Sequence, residues 1–361
     1  MSVLKSSTNK QRIFWVDAAK AVGIYWVFHG HFVEKLFRAG SETGFTHMKF
    51  IYAFHMPFFF FMAGFFFRRR YESGWKEIWV LFQKRIFPVL LFAGISLLVW
   101  PIYLQLKFGM INWGLIVERV NQYWVGYPGL NEVTWFLVCL FTAELFALLF
   151  LNKTKRGFLA LLIAIVFLRF GLLMTENMQE AEVSLGVAKN FWYFHEAFVA
   201  FGLYALGYAI YPQVKILLRL PTLNRIVLFL LFTTFVVFTF DANTPYDTFF
   251  VVMQRSWHGF NELFVFTALS GIFAVLLLAS FIPRHPWIEY VGQNTIVMIG
   301  TNGLFLHFVY RHLADVVNRS EAWWYVLSIS VIVSLASIAA SVPLIWFLNR
   351  YLPGWVGNAR V

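Results

Sequence analysis

Ten apolar stretches, each near the length that crosses a bilayer, recur along the chain at about 13–37, 49–67, 85–105, 133–151, 157–174, 191–211, 224–240, 262–282, 293–310 and 322–349. A membrane helix needs about 20 mostly apolar residues, so ten of them with short connections use up most of the 361 residues. The predicted fold is all-α: a polytopic integral membrane protein with about ten transmembrane helices, forming one domain over residues 1–361. With 60% hydrophobic and 13% charged residues and a mean hydropathy of +0.67, little is left for a soluble domain. Lys5, Lys10 and Arg12 precede the first apolar run, which is too long and too charged for a cleaved signal peptide and reads as a retained span.

Orientation follows from the cations. If the N-terminus is cytoplasmic, eighteen lysines and arginines fall in inside segments and nine in outside ones, while Lys20 and Arg169 lie within spans. That bias predicts both termini cytoplasmic. The net charge of +11 therefore reports topology and does not point to nucleic acid as a partner. Arg68 to Arg70 read as a topology anchor, with anionic phosphate binding as a second reading. The lone Cys139 excludes an internal disulfide framework and a multi-cysteine metal site, and no metal is expected.

The first span carries Asp17, Lys20, His29 and His31. At about 100° and 1.5 Å per residue, Lys20 and His31 lie about 20° apart in azimuth and about 16.5 Å apart along the axis. They share a face with Asp17, which is spaced to pair with Lys20; His29 points to the opposite side and reads as bonded to a neighbouring helix. Ionisable groups at this depth are costly and mark function by default. The second span returns with His55 at the depth of His31. Asn131 and Glu132 before Trp135, His195 with Glu196, and Glu262 gather toward the same end of other spans, which predicts an outward-facing polar chamber. Glu132, Trp135, His195 and Glu196 are its candidate substrate-binding residues. The phenylalanine-rich runs read as lipid-facing or packing surface, and Glu144 and Arg169 are intramembrane charges that require partners. From the residues alone two functions stand side by side: an enzyme using this polar track, and a transporter or flippase in which Asp17, Lys20 and His31 relay ions or protons.

The pattern D-x-x-K-x(10)-H at Asp17, Lys20 and His31, with F-H-M-P-F-F-F-F-M-A-G-F at 54–65, W-F-L at 135–137 and V-G-Q-N-T at 291–295, resembles the acyltransferase-3 family of integral membrane acyltransferases. The resemblance implies an enzyme of the bacterial cytoplasmic membrane that takes an acyl group, commonly acetyl or succinyl, from cytoplasmic acyl-CoA. It implies transfer to a hydroxyl of a surface polysaccharide or lipid-linked sugar, with acyl-CoA as co-substrate and no tightly bound cofactor. The family's essential histidine corresponds to His31 and its basic residue to Lys20, where many members carry arginine; Asn302 stands where many have a further histidine.

The spacing fits that chemistry. The phosphopantetheine arm of coenzyme A has roughly the reach of the Lys20 to His31 offset, so phosphates held at Lys20 would bring the thioester to His31. An attacking hydroxyl needs a base, and burial keeps an imidazole neutral and basic where no carboxylate stands close. His31 is the expected base, with Asp17 orienting Lys20 and His55 assisting.

Overall fold

The computed structural model describes residues 13–68, 74–185 and 191–357; Lys5, Lys10, Arg12, Arg69, Arg70, Lys189 and Arg360 lie outside the described residues. Among the described residues the regular structure is helical apart from one isolated antiparallel bridge between Val252 and Trp257. The chain runs α1 (Phe14–Arg38), α2 (Glu42–Tyr52), α3 (His55–Gly64), α4 (Trp75–Phe108), α5 (Trp113–Asn121), α6 (Trp135–Phe150) and α7 (Phe158–Leu185). It continues through α8 (Phe194–Leu217), α9 (Thr222–Thr239), α10 (Asn261–Phe281), α11 (Pro286–Gln293), α12 (Thr295–Phe308), α13 (Tyr310–Val317) and α14 (Trp323–Tyr351).

Among the described residues, eight segments are long and apolar enough to cross a membrane: Glu42–Phe65, Trp75–Phe108, Glu132–Phe150, Phe158–Glu176, Phe191–Leu217, Thr222–Thr239, Asn261–Phe281 and Trp323–Tyr351. The other two predicted stretches are helical as well. One is α1, 25 residues long and interrupted by charge; the other is α12, an apolar helix of 14 residues. The protein is an all-α polytopic membrane protein.

The second stretch differs from a single helix. It begins at Glu42 and is broken at Ala53 and Phe54. Pro57 explains the break: its ring would collide with the carbonyl four residues back, and it has no N–H for that carbonyl. The helix restarts at His55, whose position in the first turn of α3 is therefore set by a proline two residues on.

At the centre of the fold stands α1, packed against α2, α3 and α10 through α14. Its buried small residues, Ala18, Ala19, Ala21, Gly23 and Gly30, allow these close neighbours. Phe58, Phe60 and Phe61 of α3 are fully buried, so the phenylalanine run is packing surface. It is clamped from behind by α8, where a Cβ added to Gly207 would lie 2.0 Å from the Phe61 carbonyl oxygen. Only glycine admits that approach.

Gly207→Ala is therefore expected to force α8 away from α3 and to cost about 1–3 kcal/mol. Thermal unfolding in detergent should show a lowered midpoint, while Gly94→Ala in α4, with open space around it, should not destabilise the protein and should gain up to about 1 kcal/mol of helix propensity.

Candidate active site

One turn of α1 builds the core of the site. His31 Nδ1 lies 3.5 Å from Glu34 Oε2, three residues on. The Tyr52 hydroxyl donates to the same Glu34 oxygen at 2.9 Å. Its proton is thus committed, and its oxygen, 3.3 Å from His31 Nδ1, is left to accept. With an acceptor on each side, Nδ1 carries the imidazole proton and Nε2 keeps the lone pair. Arg38 Nε donates to Glu34 Oε1 at 2.8 Å, and Lys35 Nζ stands 3.8 Å from that oxygen. The condition that no carboxylate stand close to His31 is not met: Glu34 lies beside it and fixes its tautomer.

His55 faces the same space. Its Nδ1 lies 2.9 Å from the Ile51 carbonyl oxygen, which can only accept, so this nitrogen is protonated and Nε2 is free to accept. The Tyr52 ring stands between the two histidines, 6.1 Å from His31 and 4.8 Å from His55 between centroids. The histidines are neighbours well within two helix diameters.

Both line a cavity of about 560 Å³. Glu132 and Trp135 line it too, as do Tyr127 and Arg119 from the long connection after α4. Burial, with Glu132 beside it, pushes the Tyr127 hydroxyl up to about 12, so it remains a neutral donor. Residues 250–255 and Trp257, between α9 and α10, close one side, and His307 of α12 another. His307 accepts from the Glu132 backbone N–H at 3.4 Å.

Toward the other end of α1 lie two more cavities. One, of about 320 Å³, is lined by Lys20, Lys84, Tyr204, Gln293 and the Arg85–Glu144 pair. The next, of about 610 Å³, is lined by Asp17, Lys20, Arg68, Arg156 and Gln293. Phe59, Phe136 and Ile299 belong both to the wall of the 560 Å³ chamber and to that of the 320 Å³ one, while Lys20, Phe66 and Gln293 are common to the two inner cavities. The three spaces adjoin in series along α1. At the inner end, Gly292 permits α11 to press on α1: a Cβ there would lie 2.1 Å from the Asp17 carbonyl oxygen. Gln293 then reaches Asp17 Oδ2 at 3.4 Å, and Lys20 Nζ lies 5.1 Å over the Phe66 ring.

The model of the acyltransferase domain matches residues 13–346, nearly the whole chain. The chain belongs to the acyltransferase-3 family. No curated protein and no solved structure matches it.

In this acyltransferase the matching motifs meet at the cavities. W-F-L contributes one residue to each level, Trp135 to the His31 chamber, Phe136 to the shared wall and Leu137 to the Lys20 cavity. V-G-Q-N-T gives Gln293 and Asn294 to the inner side. The structure leaves other expected residues elsewhere. His195 and Glu196 are not among the chamber's lining residues. Glu196 is fully buried and drawn to His258 Nε2 at 3.2 Å, with Thr175 on the far side of that ring at 3.2 Å. Glu262 pairs with exposed Arg169 at 2.7 Å, which supplies the partner Arg169 required. His29, opposite the track, bonds Tyr25 of its own helix at 2.9 Å rather than a neighbouring helix. Asn302 is fully buried outside the chamber, and α12 supplies His307 instead. Of the residues missed, Glu34 had a signal, the H-x-x-E spacing that makes one helix face; Arg119, His307 and residues 250–257 had none.

Arg85, counted with the inside cations, is instead buried in α4 and holds Glu144 by two bonds, Nε to Oε2 at 2.8 Å and Nη2 to Oε1 at 2.6 Å. Glu144→Ala would strand the guanidinium, and is expected to cost about 3–5 kcal/mol in unfolding experiments. The double replacement Arg85→Met with Glu144→Leu should recover most of that loss, since it leaves no buried charge.

Proposed function

We propose that this membrane acyltransferase moves an acetyl or succinyl group from cytoplasmic acyl-CoA to a hydroxyl of a surface polysaccharide or lipid-linked sugar held in the outer chamber. In this reading it sits in a bacterial cytoplasmic membrane with both termini inside. The observation that carries the proposal is the serial arrangement of cavities, with Lys20 at the inner end and His31 in the outer chamber. On a continuous helix their axial offset is about 16.5 Å, roughly the reach of a phosphopantetheine arm.

The residues then divide the work. Lys20, with Asp17 one turn before it as orienter, meets the phosphates of coenzyme A. The arm runs past Phe59, Phe136 and Ile299, whose apolar side chains exclude water around the thioester. His31 Nε2 takes the proton of the acceptor hydroxyl as its oxygen attacks the thioester carbonyl. Collapse of the tetrahedral intermediate breaks the C–S bond, and the imidazolium returns the proton to the departing sulfur, leaving an ester and free coenzyme A. Glu34 offsets the transient positive charge on His31, as a carboxylate does behind a catalytic imidazole. His55, with its free Nε2, accepts a hydrogen bond from the acceptor, and Glu132 and Trp135 contact it.

His31→Ala should still bind acyl-CoA while acyl transfer falls by about 10²–10⁴-fold. His29→Ala, at nearly the same depth but bonded away from the chamber, should be mild. Near wild-type transfer by His31→Ala, or no consumption of thioester by the purified protein, would overturn the proposal; the latter is what a transporter would give.

Lys20→Ala should weaken acyl-CoA binding, and Lys20→Arg should keep much of it because charge and reach survive. Equilibrium binding of acyl-CoA to the three proteins decides this, and normal binding by Lys20→Ala would return the lysine to a structural role.

A further inference from the structure

We infer that the acceptor taken by the outer chamber is an acidic saccharide, and that its carboxylate or phosphate docks on Arg255. This rests on the acyl-transfer reading for the presence of a saccharide; the charge of the ligand is argued from the chamber alone. Four permanent cations line the space, Lys35, Arg38, Arg119 and Arg255, against two carboxylates, Glu34 and Glu132. Glu34 faces Lys35 and Arg38 at 3.8 and 2.8 Å, and Glu132 faces Arg119 at 3.5 Å. Arg255 is left without a carboxylate among the described residues. Its guanidinium is exposed and lies 5.2 Å from the centroid of the Trp257 ring.

The hydrogen-bond inventory points the same way. Among the described residues, buried Arg119 Nε and Trp257 Nε1 have no acceptor, and both side chains line the chamber. Apart from the two histidine Nε2 atoms assigned to the chemistry, no acceptor of the described lining residues is buried without a partner. Buried donors left unmade are costly, so the ligand that completes this wall is rich in acceptors. A carboxylate or phosphate supplies acceptor oxygens together with the opposite charge, and the guanidinium fork matches either group. A neutral sugar would leave the excess charge uncompensated.

The segment bearing Arg255 and Trp257 is built to hold them. The Val252 N–H donates to the Trp257 carbonyl at 2.8 Å and the Trp257 N–H to the Val252 carbonyl at 3.1 Å, closing a short loop. At its tip Ser256 has φ +58°, a conformation uncommon for any residue but glycine and kept only where the surroundings enforce it. Asn243 anchors the base of the loop, donating to the His258 carbonyl at 2.8 Å and accepting from the Phe260 N–H at 2.7 Å. Trp257 offers an aromatic face for a sugar ring beside the cation.

The test is isothermal titration calorimetry of the purified protein with three probes: a disaccharide containing glucuronic acid, its neutral methyl ester, and glucose 1-phosphate. The acid should bind about tenfold tighter than its ester, with the advantage shrinking as salt is raised. Arg255→Gln should abolish the advantage and Arg255→Lys should keep part of it. A tighter uronic acid than sugar phosphate assigns the docking group as a carboxylate, and the reverse order assigns it as a phosphate. Equal binding of acid and ester, an advantage that survives Arg255→Gln, or binding of none of the three overturns the inference. His31→Ala should retain the preference, which keeps this outcome separate from catalysis. Preference without acyl transfer would sink the acyltransfer reading alone, and transfer to neutral saccharides without preference would sink this one alone.

Discussion

A carboxylate inside a helix bundle has to be answered by donors, and the answer given to Glu34 organises the end of the bundle where His31 stands. Arg38, Lys35, the Tyr52 hydroxyl and His31 all converge on its two oxygens. Each bond constrains something else. Arg38 and Lys35 tie the carboxylate to the end of α1, Tyr52 brings α2 against α1, and the remaining contact selects the proton position on His31. An isolated ionised carboxylate at this depth would be neutralised or expelled; with this set it stays charged and turns His31 Nε2 toward chemistry.

The same economy of contacts explains why α1 is central. Its small residues allow seven other helices to approach, and along its polar face Lys20, His31 and Glu34 line cavities. Space along that face becomes three adjoining cavities rather than one channel because Phe59, Phe136 and Ile299 divide it midway and Lys20, Phe66 and Gln293 divide it again. Those side chains come from α3, α6 and α12, so the constriction is a product of tertiary packing around a single helix.

Much of this was legible in the sequence, for a physical reason: apolarity and helical azimuth are local properties. The ten stretches and the shared face of Lys20 and His31 follow from spacing along the chain, while His55, Glu132 and Trp135 were expected beside His31 from their depth in the apolar runs and from the motifs. What was not legible depends on which segments meet. Glu34 sits on the same stripe and was overlooked because it falls at the end of the apolar run, among Lys35 and Arg38, where charges look like a solvated terminus. Arg119, His307 and the loop carrying Arg255 reach the chamber only through the fold. That Arg85 is half of a buried ion pair was equally illegible, since its partner Glu144 lies 59 residues away. Glu196 had the right depth but belongs to His258, a pairing no spacing rule reveals.

The central claim is that one helix serves both ends of the donor, with phosphates at Lys20 and the acyl group at His31. The most direct measurement is an experimental structure of the protein with a non-hydrolysable acyl-CoA analogue bound. The phosphates are expected in the cavities beside Lys20, the arm passing Phe59, Phe136 and Ile299, and the acyl carbonyl in the chamber facing His31 Nε2. An analogue bound with its acyl group away from His31, or confined to one side of that constriction, would contradict it.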